Sequence, residues 1–345
     1  MVSVEKGVGA LVLLLLLFQL AHTQSATCQH ECIPVRQCPQ LHWLLLHPSP
    51  ENTDTLQRST CAYKNSQPIV CCPRNAIKFP KTCGLTEHRR GGGRELPIDG
   101  YTWKALLGYR QTGLSRTSFL CGGSVISERY ILTSAHCVDA SMTGGSKLEV
   151  VRVGEWDRST EPDCMINIVG SICSPPAQDF TIEEAIPHPN YNKRGQFSDD
   201  IALIRLVSSI DLSGPWITSI CLPPQSTGFQ DLSTVRHIFS AGWGLSSLGT
   251  ATERPQRVEL SIADHAQCNE THRGNLLKEQ ICAGGYDKQD SCVSEGGSAL
   301  LAAGTPFFQI GILSYGPVVC GGLDVPEVYT SVSHYRLWID VTMKP

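Results

Sequence analysis

The stretch Asp290-Ser291-Cys292-Val293-Ser294-Glu295-Gly296-Gly297-Ser298-Ala299-Leu300 gathers a cysteine, two acids, three serines and a glycine pair into eleven residues. What it means depends on the chain around it. From Lys104 onward, short β-branched and aromatic runs alternate with turns: 104–110, 119–126, 130–133, 148–153, 201–206, 237–241, 257–262 and 307–314. Strands at such turn-punctuated spacing predict an all-β domain, and periodicity alone leaves barrel and sandwich both open. A last amphipathic stretch, 332–343, carries Val332, Tyr335, Trp338 and Ile339 at helical spacing.

The chain has 345 residues, 41% of them hydrophobic, enough for one large domain and one small one. Its 28 basic and 32 acidic residues leave a net charge of −4, which offers no field for collecting nucleic acid or an anionic membrane. Residues 1–25 hold Lys6, the apolar run Ala10 to Leu20 and then small and polar residues, the pattern of a secretory signal peptide. No later run reaches the roughly 18 apolar residues that span a bilayer, so the expectation is a secreted, extracellular protein without a membrane span. All 16 cysteines follow that leader, an even number that favours disulfides over metal ligation in an oxidising compartment. No metal and no cofactor is expected.

Six cysteines, Cys28, Cys32, Cys38, Cys61, Cys71 and Cys72, fall within 45 residues, too few to form a stable core without covalent staples. Six allow 15 pairings, and spacing alone selects none of them. Leu41, Trp43, Leu44, Leu45 and Leu46 form an apolar run read as core rather than as a contact patch. From Pro73 to Pro97 the composition turns to proline, glycine and basic residues, an exposed connection. Asn269-Glu270-Thr271 is an Asn-x-Thr sequon and makes Asn269 a candidate glycosylation site.

Cys121-Gly122-Gly123-Ser124-Val125-Ile126, Leu132-Thr133-Ser134-Ala135-His136-Cys137, Ser198-Asp199-Asp200-Ile201-Ala202-Leu203 and the stretch 290–300 resemble the motifs of trypsin-like serine proteases. The six-cysteine module ending in Cys71-Cys72-Pro73 resembles the clip domain of arthropod members of that family. The resemblance implies two six-stranded antiparallel β-barrels with a carboxy-terminal helix, preceded by a small disulfide-rich domain. The division is a signal peptide 1–25, a clip domain 28–72, a linker 73–89 holding the tethering Cys83, and a protease-like domain 90–345. The family pattern implies the bridges Cys28–Cys71, Cys32–Cys61, Cys38–Cys72, Cys83–Cys221, Cys121–Cys137, Cys268–Cys282 and Cys292–Cys320. Cys164 and Cys173 are left, nine apart in one loop, and are expected to pair as a loop staple.

In that frame His136 stands where the family has its general base and Asp200 where it has the orienting carboxylate, and Gly296 stands at the nucleophile position. Acyl transfer by this family needs a hydroxyl there. Ser294 and Ser298 are each two residues away, several ångströms at roughly 3.3 Å per extended residue. Ser294 also replaces the glycine of the oxyanion loop, and Glu295 replaces an aspartate. The specificity pocket combines Asp290 and Gly316 with Glu327, where the family has a glycine, so a side chain partly fills it. Arg89-Arg90 is the cleavage candidate, but cleavage would free Arg90 or Gly91 where the family has an apolar residue that enters a pocket. An unpaired arginine is costly to bury, and glycine fills nothing.

The resemblance and these departures predict a secreted pseudoprotease, not an enzyme. It would be a cofactor or regulator in an extracellular clip-protease cascade of innate immunity, melanisation through prophenoloxidase or Toll activation. Its partners would be clip-domain proteases, their zymogens or prophenoloxidase, met in haemolymph. The alternatives are an active or weakly active trypsin-like endopeptidase, and a decoy that captures inhibitors or microbial surfaces.

Overall fold

A computed structural model describes residues 32–35, 38, 41, 50–64, 67–72, 82–86, 95–111, 113, 116–167, 170–223, 235, 237–244, 250, 252–284, 295–317 and 325–344. Two compact units form, and the larger spans Lys78–Arg336. In the smaller, strands β1 (Cys32–Pro34), β2 (Thr60–Lys64) and β3 (Gln67–Cys71) make a sheet in the order β1-β3-β2, with helix α1 (Pro50–Arg58) ahead of β2. Among the described residues its core is Val35, Cys38, Leu41 and Val70 with Ile33, Leu56 and Cys72 packed against them, and the bridges Cys32–Cys61 and Cys38–Cys72 run through it. Leu41 is 4% exposed, so the apolar run begins as core; Trp43 to Leu46 and Cys28 lie outside the described residues. Closing a loop of about 30 residues with a disulfide is worth roughly 3 to 4 kcal/mol, enough to stabilise so small a fold.

The first barrel of the larger unit uses β4 (Lys104–Arg110), β5 (Thr117–Ser127), β6 (Tyr130–Thr133) and β7 (Lys147–Val153). It closes, beyond the hairpin of β8 (Cys164–Asn167) and β9 (Gly170–Cys173), with β10 (Gln178–Pro187) and β11 (Ala202–Leu206). The strand order is β10-β11-β6-β5-β4-β7. Alternation places Ala105, Leu107 and Tyr109 of β4 in the barrel core with Val125, Ile131, Val151, Val153 and Ile204. The second barrel is a six-stranded antiparallel sheet of β12 (Ile238–Gly242), β13 (Gln256–Leu260), β14 (Gln280–Ala283), β15 (Ala299–Ala302), β16 (Phe308–Tyr315) and β17 (Glu327–Ser331). Its order is β13-β12-β15-β16-β17-β14, and a bridge between Ile262 and Ala283 brings the outer strands together. This is the trypsin-like, mostly β architecture that the motifs imply.

Helix α2 (His265–Thr271) starts at Asp264, whose Oδ1 accepts from the Gln267 N–H at 2.9 Å. Helix α3 (Val332–Thr342) follows β17 directly. Four further disulfides pin this unit: Cys83–Cys221, Cys121–Cys137, Cys164–Cys173 and Cys268–Cys282. Cys292 and Cys320 lie outside the described residues, as do Arg89 and Arg90. Among the described residues no helix is long and apolar enough to cross a membrane.

Candidate functional site

The site forms where the ends of β6, β11 and β16 meet the turn before β15. After the fully buried strand Tyr130-Ile131-Leu132-Thr133, the chain passes extended through Ser134 and makes one tight turn, Ala135–Cys137. The Cys121–Cys137 bridge and a 2.7 Å bond from the Tyr109 hydroxyl to the Cys137 carbonyl fix that turn, so His136 projects from a rigid corner. Asp200, fully buried, accepts from the His136 backbone N–H at 2.9 Å on Oδ1 and lies 2.8 Å from Nδ1 through Oδ2. The Ser314 hydroxyl donates to Oδ2 at 2.5 Å and Thr330 donates to the Asp200 carbonyl at 2.8 Å, so both barrels hold one carboxylate. The carboxylate therefore selects the Nδ1–H tautomer and leaves Nε2 as the basic nitrogen.

Nε2 faces Gly296. A Cβ built on Gly296 would stand 2.4 Å from Nε2 and 3.1 Å from Cε1, so the imidazole occupies the room that a side chain there would need. Ser298 is 4% exposed, and its hydroxyl lies against Gly122, 2.7 Å from where a Cβ on that glycine would stand. Ser294 and Asp290 lie outside the described residues. One hydroxyl that the motif frame did not single out does reach the base: Ser134 Oγ is 3.3 Å from Nε2. Ser134 is fully buried and its hydroxyl also donates to Cys137 Sγ at 3.0 Å, so no acyl group can approach it. Its place two residues before His136 was the available signal.

The turn itself is held by its backbone. The Gly296 carbonyl accepts from the Gly122 N–H at 2.9 Å, the Gly297 N–H donates to the Leu313 carbonyl at 2.9 Å, and the Ser298 N–H donates to the Glu295 carbonyl at 3.1 Å. Glu295 Oε2 accepts from the Trp243 backbone N–H at 2.9 Å, and burial holds this carboxyl above the usual carboxylate range.

Beside the histidine, Phe197 meets His136 in a T-shaped contact at 6.0 Å between centroids and stacks on Tyr315 at 5.2 Å, which makes a T-shaped contact with His272 at 5.4 Å. Behind this aromatic wall, Glu327 is 8% exposed and its Oε2 accepts from the Tyr329 hydroxyl at 2.5 Å. Glu327 Cγ comes within 3.0 Å of where a Cβ on Gly316 would stand, so the glutamate stem fills the space beside that glycine. Asn269 sits half-buried on α2, and its side-chain carbonyl accepts from the Leu276 N–H at 2.9 Å. Among the described residues Cys121, His136 and Cys137 bring possible metal donors within 4.8 Å of one another, but both sulfurs are in the disulfide and supply no thiolate.

A family model described as Trypsin matches residues 91–339, and one described as Regulatory CLIP domain of proteinases matches residues 29–72. The chain is 35% identical to CLIP domain-containing serine protease B4 of Anopheles gambiae, over 90% of this chain and 88% of that protein. It is 35% identical to Phenoloxidase-activating factor 3 of Holotrichia diomphalia over 89% of each. It is 32% identical to Melanization protease 1 of Drosophila melanogaster, over 90% of this chain and 89% of that protein. Among solved structures, the Drosophila Grass clip serine protease of the Toll pathway superposes with a TM-score of 0.70 at 30% identity, covering 91% of this chain and 94% of that one. With a trypsin-type double barrel, a paired histidine and carboxylate between the barrels, and an amino-terminal clip module, the chain belongs to the clip-domain serine protease family.

Proposed function

We propose that this chain is a secreted, non-catalytic serine protease homologue, acting as a cofactor or regulator in an extracellular clip-protease cascade of innate immunity. The observation that carries the reading is the 2.4 Å between His136 Nε2 and the place of a Cβ on Gly296: base and carboxylate are aligned on a residue that has no hydroxyl, and the hydroxyl that does reach Nε2, that of Ser134, is fully buried. The names of Phenoloxidase-activating factor 3 and Melanization protease 1 support a place in such a cascade. In this reading a signal peptide 1–25 is removed, a clip domain 28–72 and a protease-like domain 90–345 are joined through 73–89, and Arg89-Arg90 is the processing site. The partners are clip-domain proteases, their zymogens or prophenoloxidase, and the protein works in haemolymph. Asn269 remains the glycan candidate, with its amide carbonyl already bonded within the fold.

The aligned His136–Asp200 pair favours one rival reading, a weak hydrolase. The two separate in one experiment. The purified protein, cut at Arg89-Arg90 by a trypsin-like protease that is then removed, is exposed to a fluorophosphonate label and to arginine amide substrates. No covalent labelling and no turnover above buffer is the expected result; labelling together with turnover overturns the proposal. A pull-down on immobilised prophenoloxidase, with intact and with cut protein, then tests the cofactor role, and capture of neither form counts against it.

A further inference from the structure

A buried carboxylate requires compensating positive charge, and Glu295 sits in the turn that carries Gly296. Lys104 of β4 approaches it through Trp243: the Lys104 ammonium lies 4.5 Å from the centre of the Trp243 ring, while the backbone N–H of that residue donates to Glu295. Lys104, Trp243, Glu295 and Ser298 line one small cavity of about 10 Å³, room for about one water. Lys104 also lines a second cavity of similar size with Glu155, Tyr101 and Ser174, so it borders two cavities that each hold an acid. Its Nζ is 3.5 Å from the Tyr101 carbonyl. Arg158, in the segment between β7 and β8, donates to the Thr252 carbonyl at 2.9 Å and lies 3.7 Å from Glu253; the Thr252 N–H donates at 3.1 Å to the carbonyl of Gly244, next to Trp243, so a second cation is tied to the segment whose N–H bonds Glu295, and its charge favours the ionised carboxylate. On the far side Glu155 faces Asp163 and lies 3.3 Å from Arg152.

We propose that Lys104 and Arg158 are the resident counter-ions of Glu295, and that they hold the 295–297 turn in the intact chain without any new chain end from cleavage at Arg89-Arg90. Lys104 is a positioning residue here, acting on the turn through Glu295 and Trp243. The inference concerns how the turn is held and stands apart from whether Gly296 abolishes catalysis, which the labelling experiment decides separately.

Burial pulls the Lys104 pKa down to about 8, against the opposing pull of Glu295 and Glu155, while burial pushes Glu295 up. The folded chain therefore sheds the lysine proton before the unfolded chain does. Between about pH 8 and 10.5 the lysine's own contribution to stability rises with pH. For that reason the melting temperature of Lys104→Met alone is a poor gauge, and the coupling to Glu295 is the quantity to measure.

The test uses the full chain and a thermal double-mutant cycle at pH 7 on Lys104→Met, Arg158→Met and Glu295→Gln. Removing each cation is expected to lower the melting temperature by at least about 3 °C more in the wild-type background than in the Glu295→Gln background. The acid titration of the Trp243 signal in near-ultraviolet circular dichroism is expected to move up by about one pH unit in Lys104→Met, because removing a cation favours the protonated acid. Intact and Arg89-Arg90-cleaved wild type are expected to melt within about 1 °C of each other. Equal losses in both backgrounds, an unmoved titration, or a clear gain in melting temperature on cleavage would each overturn the proposal.

Discussion

Gly296→Ser is expected to leave arginine-amide hydrolysis at least about a hundredfold below that of an active clip-domain protease assayed in parallel. A serine that shares its proton with Nε2 needs its oxygen about 2.6–3.2 Å away, which puts its Cβ farther out still. Here the Cβ itself would be 2.4 Å from Nε2, so the ring must retreat by about 1 Å before the serine fits. Retreat is opposed by the 2.8 Å contact of Nδ1 with Asp200 and by the ring of Phe197. Moving the ring stretches the contact that sets its tautomer, and leaving it clashes with the new side chain. The filled space beside Gly316 compounds the loss for an arginine substrate. The measurement is kcat/KM on an arginine amide for the cleaved variant, with fluorophosphonate titration of active sites. Activity within tenfold of the active relative would mean that the histidine yields more easily than its contacts indicate.

The fold was legible because the strongest apolar runs coincide with barrel strands. Residues 104–110 and 130–133 agree end to end with β4 and β6, and most other predicted strands shift by one or two residues at their ends. The strands that were not legible carry charge or are short. β10 reads Gln-Asp-Phe-Thr-Ile-Glu-Glu-Ala-Ile-Pro, and its acids become favourable only once β11 lies alongside and Arg205 reaches Glu183 at 2.8 Å. That is a tertiary pairing with no local signature. β14, β15 and β17 have four or five residues and depend on neighbours for their definition. At the site, the motif frame brought His136, Asp200, Gly296, Gly316 and Glu327 into view, because each stands at a set distance from a cysteine, a glycine or a strand. Three features depended on side-chain direction instead: the Ser134 hydroxyl beside Nε2, the collapse of the imidazole into the room at Gly296, and the Lys104 ammonium over Trp243. Spacing places Ser134 two residues before His136, but it carries no information on where these side chains point.

Gly297→Ala is expected to be the most damaging single-methyl change in the turn, costing about 3–5 kcal/mol, whereas Gly296→Ala is expected to cost about 1–2 kcal/mol. Gly297 has φ +83°, a conformation that a side chain resists, and its Cβ would meet Thr133 Oγ1 at 2.3 Å and the Gly122 carbonyl at 2.4 Å. Neither neighbour can step aside. Thr133 is fully buried and donates to that same Gly122 carbonyl at 2.8 Å, and the carbonyl belongs to β5, which is paired on both sides in the closed first barrel. At Gly296, by contrast, the obstruction is the end of one side chain, which can turn at the expense of its Asp200 contact. For a domain of this size the larger loss corresponds to a fall in melting temperature of about 10 °C, and the smaller to a few degrees. Differential scanning calorimetry of the two variants beside wild type reads both. Equal, small shifts would mean that Gly297 does not seal the turn against β5 and β6. The expected order places the tighter steric demand at the position that joins the barrels, one residue beyond the position where the hydroxyl is missing.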